Sequence, residues 1–282
     1  MLPLAFWPPE ERRQITGVLT DIDDTLTTQG AITPDALQAL AELQAAGLHV
    51  IPITGRPVGW SEPFALSWPV DAIVAENGAV ALVKQHGKSP HPCPLPEGEG
   101  VKKLYQQDAG TRSANFARMQ QVAQRVLREV PGTMLAEDSP GRETDMAIDH
   151  SEFTHLPSDK IAQVVQIMQS EGMCATVSSI HINGWFGAHN KLEGARWIAR
   201  ELLGRELAPE IARWVYVGDS TNDELMFQHF PQSVGVANIR RFEAELTHSP
   251  RYITQGERGA GFVEVARALL TARLSGQIRQ PS

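Results

Sequence analysis

Four separated segments hold acidic, hydroxyl and basic side chains at spacings that suit phosphoryl transfer. They are Thr20-Asp21-Ile22-Asp23-Asp24-Thr25, Pro52-Ile53-Thr54-Gly55-Arg56, Asn190-Lys191-Leu192-Glu193-Gly194 and Gly218-Asp219-Ser220-Thr221-Asn222-Asp223. Two carboxylates one residue apart in a loop leaving a strand can divide the work, one facing a phosphorus atom and the other the leaving oxygen. Asp21 is the expected nucleophile, because an acyl phosphate splits one slow displacement into two easier ones. Asp23 is the expected general acid and base, protonating the departing alkoxide and later activating water. Gathering Asp21, Asp23, Asp219 and Asp223 beside a dianionic phosphate requires a cation, since each like-charge pair at ~4 Å and an effective dielectric near ~20 costs on the order of 4 kcal/mol. These four are the expected metal-site residues. With no histidine or cysteine accompanying them, oxygen ligands and phosphate chemistry point to Mg²⁺.

Thr54, followed by Gly55, offers a hydroxyl and backbone N–H groups to phosphate oxygens, and Arg56 and Asn222 in the same two loops join them as expected substrate-binding residues. Lys191 supplies a compact positive charge for the transferring phosphoryl group. After Lys160 it is the only lysine in the chain.

These side chains need a scaffold that brings distant segments to one edge. Short apolar runs precede three of them: ITGVLT before Asp21, LHVIPI before Thr54 and RWVYVG before Asp219. Such runs read as buried strands, and ligand sites in open α/β sheets lie at the carboxyl ends of the strands. Between the first two, Thr33-Pro34 signals a helix start, Leu37, Leu40 and Leu43 give its stripe and Gly47 its end. DAIVA adds a strand ending at Glu76-Asn77-Gly78, so the chain opens as βαβαβ and a parallel sheet is expected. QHGKSPHPCPLPEGEG then breaks the rhythm with prolines and glycines. Beyond it, an amphipathic helix through Met119, Val122, Val126 and Val130, the strand DMAID, a helix through Ile161, Val164 and Met168, and the strand-like CATVSSIHI make up a separate α+β unit. The α/β rhythm returns with the helix KLEGARWIARELLG, the strand RWVYVG, the helix NDELMFQHF, the strand SVGVA and the closing helix GAGFVEVARALLTARL; the final SGQIRQPS reads as a frayed end. The expected architecture is α/β, a Rossmann-like, doubly wound parallel sheet from residues 1–84 and 185–282, with an α+β cap inserted over 85–184.

At 282 residues, 42% hydrophobic and 21% charged, the chain has ordinary globular composition and length for two modest domains. A net charge of −8 opposes a nucleic-acid surface, which needs a concentrated basic face. Cys93 and Cys174 form neither a zinc spacing nor a disulfide framework, which suits a reducing compartment. The N-terminal stretch lacks a basic leader, and no apolar run is long enough to cross a bilayer. A cytoplasmic protein without membrane or nucleic-acid partners, acting on a small phosphorylated metabolite, is expected; oligomeric state is open.

Read together, the four motifs resemble those of the haloacid dehalogenase superfamily of phosphotransferases, over the whole chain. The resemblance implies that Asp21 is the nucleophile and Asp23 the acid/base, and that Thr54, Lys191 and the Asp219/Asp223 pair are the second, third and fourth motifs. It further implies Mg²⁺ held by the Asp21 carboxylate, the backbone carbonyl of residue 23 and Asp219, with Asp223 supporting the ion through water or orienting its neighbours. One departure is Leu192 after Lys191, where the family often has glycine. The insertion is similar to the family's second, α+β cap type, and VAENGAV to a turn of capped sugar-phosphate phosphatases. Cap entry and exit near Lys84 and Asn183 are the expected hinges. Cap and closing helix look most like the branch with sucrose-phosphate, mannosyl-phosphoglycerate and phosphoglycolate phosphatases.

Aspartate at position 23 argues against two relatives, P-type ATPases with threonine there and dehalogenases lacking that acid. An alcohol leaving group follows, hence a phosphomonoester hydrolase or, alternatively, a phosphomutase that returns the phosphoryl group to a second hydroxyl. A catalytically idle binding protein would need a motif carboxylate lost. In the cap, Arg142 with Glu143 is a candidate to reach the leaving group, and His181 and Asn183 are candidates for the cleft or its hinge. Trp60 reads as core packing or a sugar-ring flank.

Overall fold

The computed structural model of the protein describes residues 1–85 and 100–277. Six strands form one sheet in the spatial order Leu2–Pro3, Tyr252–Ile253, Gln232–Gly235, Trp214–Gly218, Gly17–Thr20 and His49–Pro52, with every pairing parallel. The sequence alternation explains why it is covered on both faces. Val18, Val50, Val215 and Val217 pack with Leu40, Leu43, Phe262 and Leu269 of the helices Pro34–Ala45 and Arg258–Gln277. Their neighbours Leu19, Ile51, Trp214 and Tyr216 pack on the other side with Leu192, Ile198 and Phe227. Each such side chain taken from water contributes about 1.5–3 kcal/mol, so a sheet apolar on both faces is stable only between two helical layers.

The chain leaves Gly17–Thr20 for His49–Pro52 on one side and later returns through Trp214–Gly218 on the other. The sheet order therefore reverses at Gly17–Thr20, and a crevice opens at the carboxyl end of that strand. Val217 O accepts from Asp21 N at 2.8 Å and Thr20 O from Ile53 N at 2.8 Å, which aligns the three strand ends. An Ile53–Val74 bridge continues the sheet to an antiparallel group of Ala72–Ala75, Val80–Gln85 and Gly100–Tyr105.

The cap is a four-stranded antiparallel sheet in the order Cys174–Val177, His181–Trp185, Met146–Asp149 and Met134–Leu135. Helices Ala109–Glu129 and Ser158–Ser170 cover one face through Met119, Val126, Val164 and Met168, packed on Met146, Ile148 and Ile182. Asp108 caps the longer helix by accepting from Thr111 N at 3.0 Å. Strand alternation turns Ala147, Asp149, His181 and Asn183 to the opposite face, toward the crevice; their pairs Ala147–Asn183 and Asp149–His181 alternate with Ile148–Ile182.

Several local expectations change. CATVSSIHI is not one strand but two, reversing at Ser178–Ile180, and NDELMFQHF contributes only a 3₁₀ turn at Thr221–Asp223 and a short helix at Glu224–His229. Apart from its ends, QHGKSPHPCPLPEGEG lies outside the described residues, as do Cys93 and residues 278–282. Gly100–Tyr105, inside the span assigned to the cap, pairs along the whole of Val80–Gln85. Lys84 lies within that hairpin, its Nζ donating to Trp68 O at 2.8 Å, and Asn183 lies mid-strand in the cap, so neither is placed as a hinge. The chain passes between core and cap instead at residues 106–108 and 186–190, where Gln107 Nε2 donates to Phe186 O at 3.1 Å. No helix among the described residues is long and apolar enough to cross a membrane.

Candidate active site

The three strand ends and one helix start converge. Asn190 caps the helix Lys191–Leu203 by accepting from Glu193 N at 2.9 Å, which fixes Lys191 as its first residue, facing the crevice. Gly194, rather than a glycine directly after the lysine, gives the helix room. A Cβ there would stand 2.6 Å from Gly78 Cα, so helix and Glu76–Gly78 turn touch backbone to backbone. Leu192 is buried in the core.

Lys191 Nζ donates to Asp21 Oδ1 at 2.6 Å and to Asp223 Oδ1 at 2.7 Å. Asp223 is saturated: Oδ2 accepts from Asp219 N at 2.9 Å and Ser220 N at 3.2 Å, and Oδ1 also accepts from Tyr216 OH. Gly218 makes this possible, since a Cβ there would stand 2.4 Å from Asp223 Oδ2. Asp219 Oδ2 accepts from Asn238 Nδ2 at 2.9 Å, and the same amide donates to Asp24 O at 3.0 Å.

Asp21, Asp219 and Asp223 are all buried and bring carboxylate oxygens within 4.8 Å of one another. Burial pushes the Asp21 carboxyl up to about 7, with Lys191 pulling it down and Asp223 and Asp23 pushing it further up. Asp219 lies well above the ordinary carboxylate range, first from burial and then from Asp21 and Asp223. Burial disfavours the Lys191 ammonium, yet the two aspartates outweigh it and hold the lysine charged above its ordinary value. One lysine thus faces three buried carboxylates. An excess of negative charge with oxygen donors only is the environment in which a hard divalent cation fits. Asp21 and Asp219 have oxygens turned to the shared space, whereas Asp223 spends its carboxylate orienting Lys191 and the Asp219 loop. Asp23 is not part of this cluster, its carboxylate being engaged by Arg56.

Arg56 Nε donates to both Asp23 carboxylate oxygens at 3.0 Å, Nη1 reaches Asp138 Oδ2 at 3.1 Å and Nη2 reaches Glu152 Oε1 at 2.8 Å. Expected as a substrate ligand, this residue instead ties the core aspartate to two cap carboxylates. Burial raises the Asp23 carboxyl and the Arg56 charge opposes that. Thr54 is fully buried, its Oγ1 accepting from Arg56 N at 3.0 Å, which sets the loop carrying Gly55. Asn222 Oδ1 accepts from Ser220 Oγ at 2.8 Å. A cavity of about 10 Å³ is bounded below by Asp21, Asp23, Gly55 and Asn222, and above by the cap turn Ser178–Ile180 with His181 and Asn183. A space this small takes at most one water, so the cap is closed over the aspartates.

Arg142 requires a correction. Its guanidinium donates to Asp138 Oδ1, to Asp145 Oδ1 at 2.7 Å and to Gly55 O at 3.0 Å, and its side chain is buried, so cap carboxylates and the Gly55 carbonyl hold it at the junction of cap and core. It straps the cap to the Gly55 loop. Trp60 packs on Phe64 and Arg56.

The motifs did not single out Asn238, Tyr216, Glu152 or the role of Glu76. Glu76, wholly buried, accepts from Val58 N at 3.0 Å and Glu143 N at 2.9 Å and from the N–H and hydroxyl of Thr144, fastening cap backbone to core. A signal existed for Asn238, a polar residue just past the strand-like SVGVA. None existed for Glu152, whose neighbours are set by cap docking.

Residues 18–116 match the family model described as haloacid dehalogenase-like hydrolase. A protein of Streptococcus pyogenes serotype M6, provisionally named a phosphatase, is 22% identical over 274 residues, covering 89% of this chain and 96% of its own. Sucrose-phosphatase from Synechocystis, solved with sucrose and phosphate, superimposes with a TM-score of 0.61 at 16% identity, covering 92% of this chain and 98% of its own. A subclass IIB sugar phosphatase of the superfamily gives 0.58 at 15% identity, covering 92% and 99%. Residues 18–116 thus resemble a haloacid dehalogenase-like hydrolase, and the whole chain shares its fold with a solved sugar phosphatase of that superfamily. The similar proteins include ones named as phosphatases, the class that the motif resemblance implies.

Proposed function

We propose that the protein is a Mg²⁺-dependent phosphomonoesterase that releases phosphate from a small, sugar-like metabolite through a phosphorylated Asp21. The observation that carries this reading is the meeting of Lys191, Asp21 and Asp219 at the end of the strand Gly17–Thr20, with Asp23 across the same cavity. Asp21 and Asp219 are the side chains to hold Mg²⁺, joined by the carbonyl of residue 23. When bound, the ion offsets the carboxylate charge and polarises the phosphoryl oxygens.

An Asp21 carboxylate oxygen bonds to phosphorus as the ester P–O bond breaks, and Asp23 gives its proton to the departing alkoxide. Asp23 then takes a proton from water, whose oxygen displaces Asp21 and frees phosphate. Lys191 and the Thr54–Gly55 loop hold the phosphoryl oxygens. The cap, taken as residues 85–184 from the sequence with its paired portion beginning beyond Tyr105, acts as a lid that opens to admit substrate and closes to exclude water. Support for a sugar-like substrate comes from the folds shared with sucrose-phosphatase and the subclass IIB sugar phosphatase.

The test is phosphate release from a panel of sugar and glycolytic phosphates, with Mg²⁺ and with EDTA. Release that needs Mg²⁺ and disappears in Asp21→Asn is expected. Isomerised sugar phosphate without free phosphate, or no turnover of any member, would overturn the proposal.

A further inference from the structure

The wall facing Asp23 is charged in a particular way. The Arg56 guanidinium meets three carboxylates, Asp23 and the cap's Asp138 and Glu152, and each member of the array is at most one-fifth exposed. His181 Nε2 stands 2.7 Å from the second Glu152 oxygen, on the cap strand that roofs the cavity. The two cations that touch Asp21 and Asp23 already have carboxylate partners: Lys191 has Asp21 and Asp223, and Arg56, on the cavity wall, has its three. Behind them, Arg142 is committed to Asp138 and Asp145. Such a site has no free positive charge for a second anion. Moving Arg56 to a substrate carboxylate would leave the part-buried Asp23 without its cation, and Asp138 and Glu152 with Arg142 and His181 alone, which is strongly unfavourable. What the roof does offer is Ser178, Ser179, Asn183 and His181, with Glu152 joined to His181 and to Arg56 at its edge, groups that give and accept hydrogen bonds with neutral hydroxyls.

Resting on the phosphomonoesterase reading, we infer that the leaving group is an uncharged polyol and that the Asp138–Arg56–Glu152 array rejects esters bearing a second anionic group. Glu152, with His181, is the specificity-determining residue. It accepts from a leaving-group hydroxyl and repels a carboxylate in the same position.

A matched pair tests this, sn-glycerol 1-phosphate against 3-phospho-D-glycerate, with D-erythritol 4-phosphate against 4-phospho-D-erythronate as the longer pair. Each pair exchanges one CH₂OH for a carboxylate. At least a tenfold higher kcat/KM for the alcohol of each pair is expected. Glu152→Gln should narrow that ratio by about tenfold, chiefly by lowering KM for the acid. Calorimetric binding of the same esters to Mg²⁺-loaded Asp21→Asn protein gives a second readout independent of turnover. Selective binding of the alcohols without hydrolysis by the wild type would sink the phosphatase reading and leave this one standing. Equal or tighter binding of the acids, binding of neither ester, or a ratio untouched by Glu152→Gln would overturn it.

Discussion

Lys191 Nζ stands 2.6 Å from Asp21 Oδ1 although 170 residues of sequence and the whole cap separate the two. The same ammonium holds Asp223 at 2.7 Å, so a single charge pins the nucleophile to the loop that carries Asp219. Lys191→Met should therefore reduce kcat by a factor of about 10²–10³, the usual loss on removing one group that stabilises transition-state charge. Lys191→Arg should restore little, because a planar fork does not replace a point charge in a buried site. Steady-state kinetics on both variants, with circular dichroism to verify folding, measures this.

Asp219 is held well above its ordinary carboxylate range by burial and by Asp21 and Asp223, so its charge strains the metal-free fold. Asp219→Asn should raise the melting temperature without metal by roughly 2–6 °C, taking ~2–4 °C per kcal/mol for a chain of this order. Activity should be lost in the same variant. Differential scanning fluorimetry in EDTA beside a phosphate-release assay checks both halves.

Mg²⁺ should in turn stabilise the wild type by mass action, about 2.7 kcal/mol at a hundredfold excess over its dissociation constant. The gain should vanish in Asp219→Asn and largely survive in Asp223→Asn, since Asp223 directs its oxygens to Lys191, Tyr216 and the backbone. A melting-temperature titration with MgCl₂ distinguishes the two. Equal losses would mean that Asp223 binds the ion directly.

His189 stacks on Trp185 with ring centroids 5.5 Å apart, and burial lowers its imidazole to about 4. In the unfolded chain it titrates near ~6.5. The unfolded state therefore takes up the proton first, and stability present above pH ~6.5 declines as pH falls toward ~4, by roughly 3 kcal/mol. His189→Phe keeps the stacking and removes the titration. Urea midpoints at pH 7.5, 6 and 5 should fall less in the variant than in the wild type.

Glu76→Ala should leave the Val58, Glu143 and Thr144 donors without their acceptor, costing about 3 kcal/mol or more. The cap should loosen with it. Faster limited proteolysis near residues 106–108 and 186–190, while the far-ultraviolet spectrum stays folded, is the expected signature.

The convergence of Asp21, Thr54 and Asp219 is legible because each follows an apolar run long enough to be a strand. A strand's end is where a parallel sheet exposes its loops. Asp21, Thr54 and Asp219 are placed by that rule alone, and Lys191 by its position at a helix start just after Asn190. Alternation along DMAID also contained the cleft-facing pairing of Ala147 with Asn183, although the direction of its polar face could not be read until the strands were paired. The Ser178–Ile180 reversal escaped because CATVSSIHI has no glycine, proline or asparagine to mark a turn.

What the amino-acid order determined, then, is which residues end strands, begin helices and form two apolar faces, since these depend on neighbours within a few positions. Partners across the core–cap boundary depend on where two separately folded surfaces dock. Residue type alone points Arg56 to substrate and Arg142 to the leaving group. Docking instead surrounded one with Asp23, Asp138 and Glu152 and the other with Asp138, Asp145 and Gly55 O, because a guanidinium brought into a closing interface takes the nearest carboxylates before any ligand arrives.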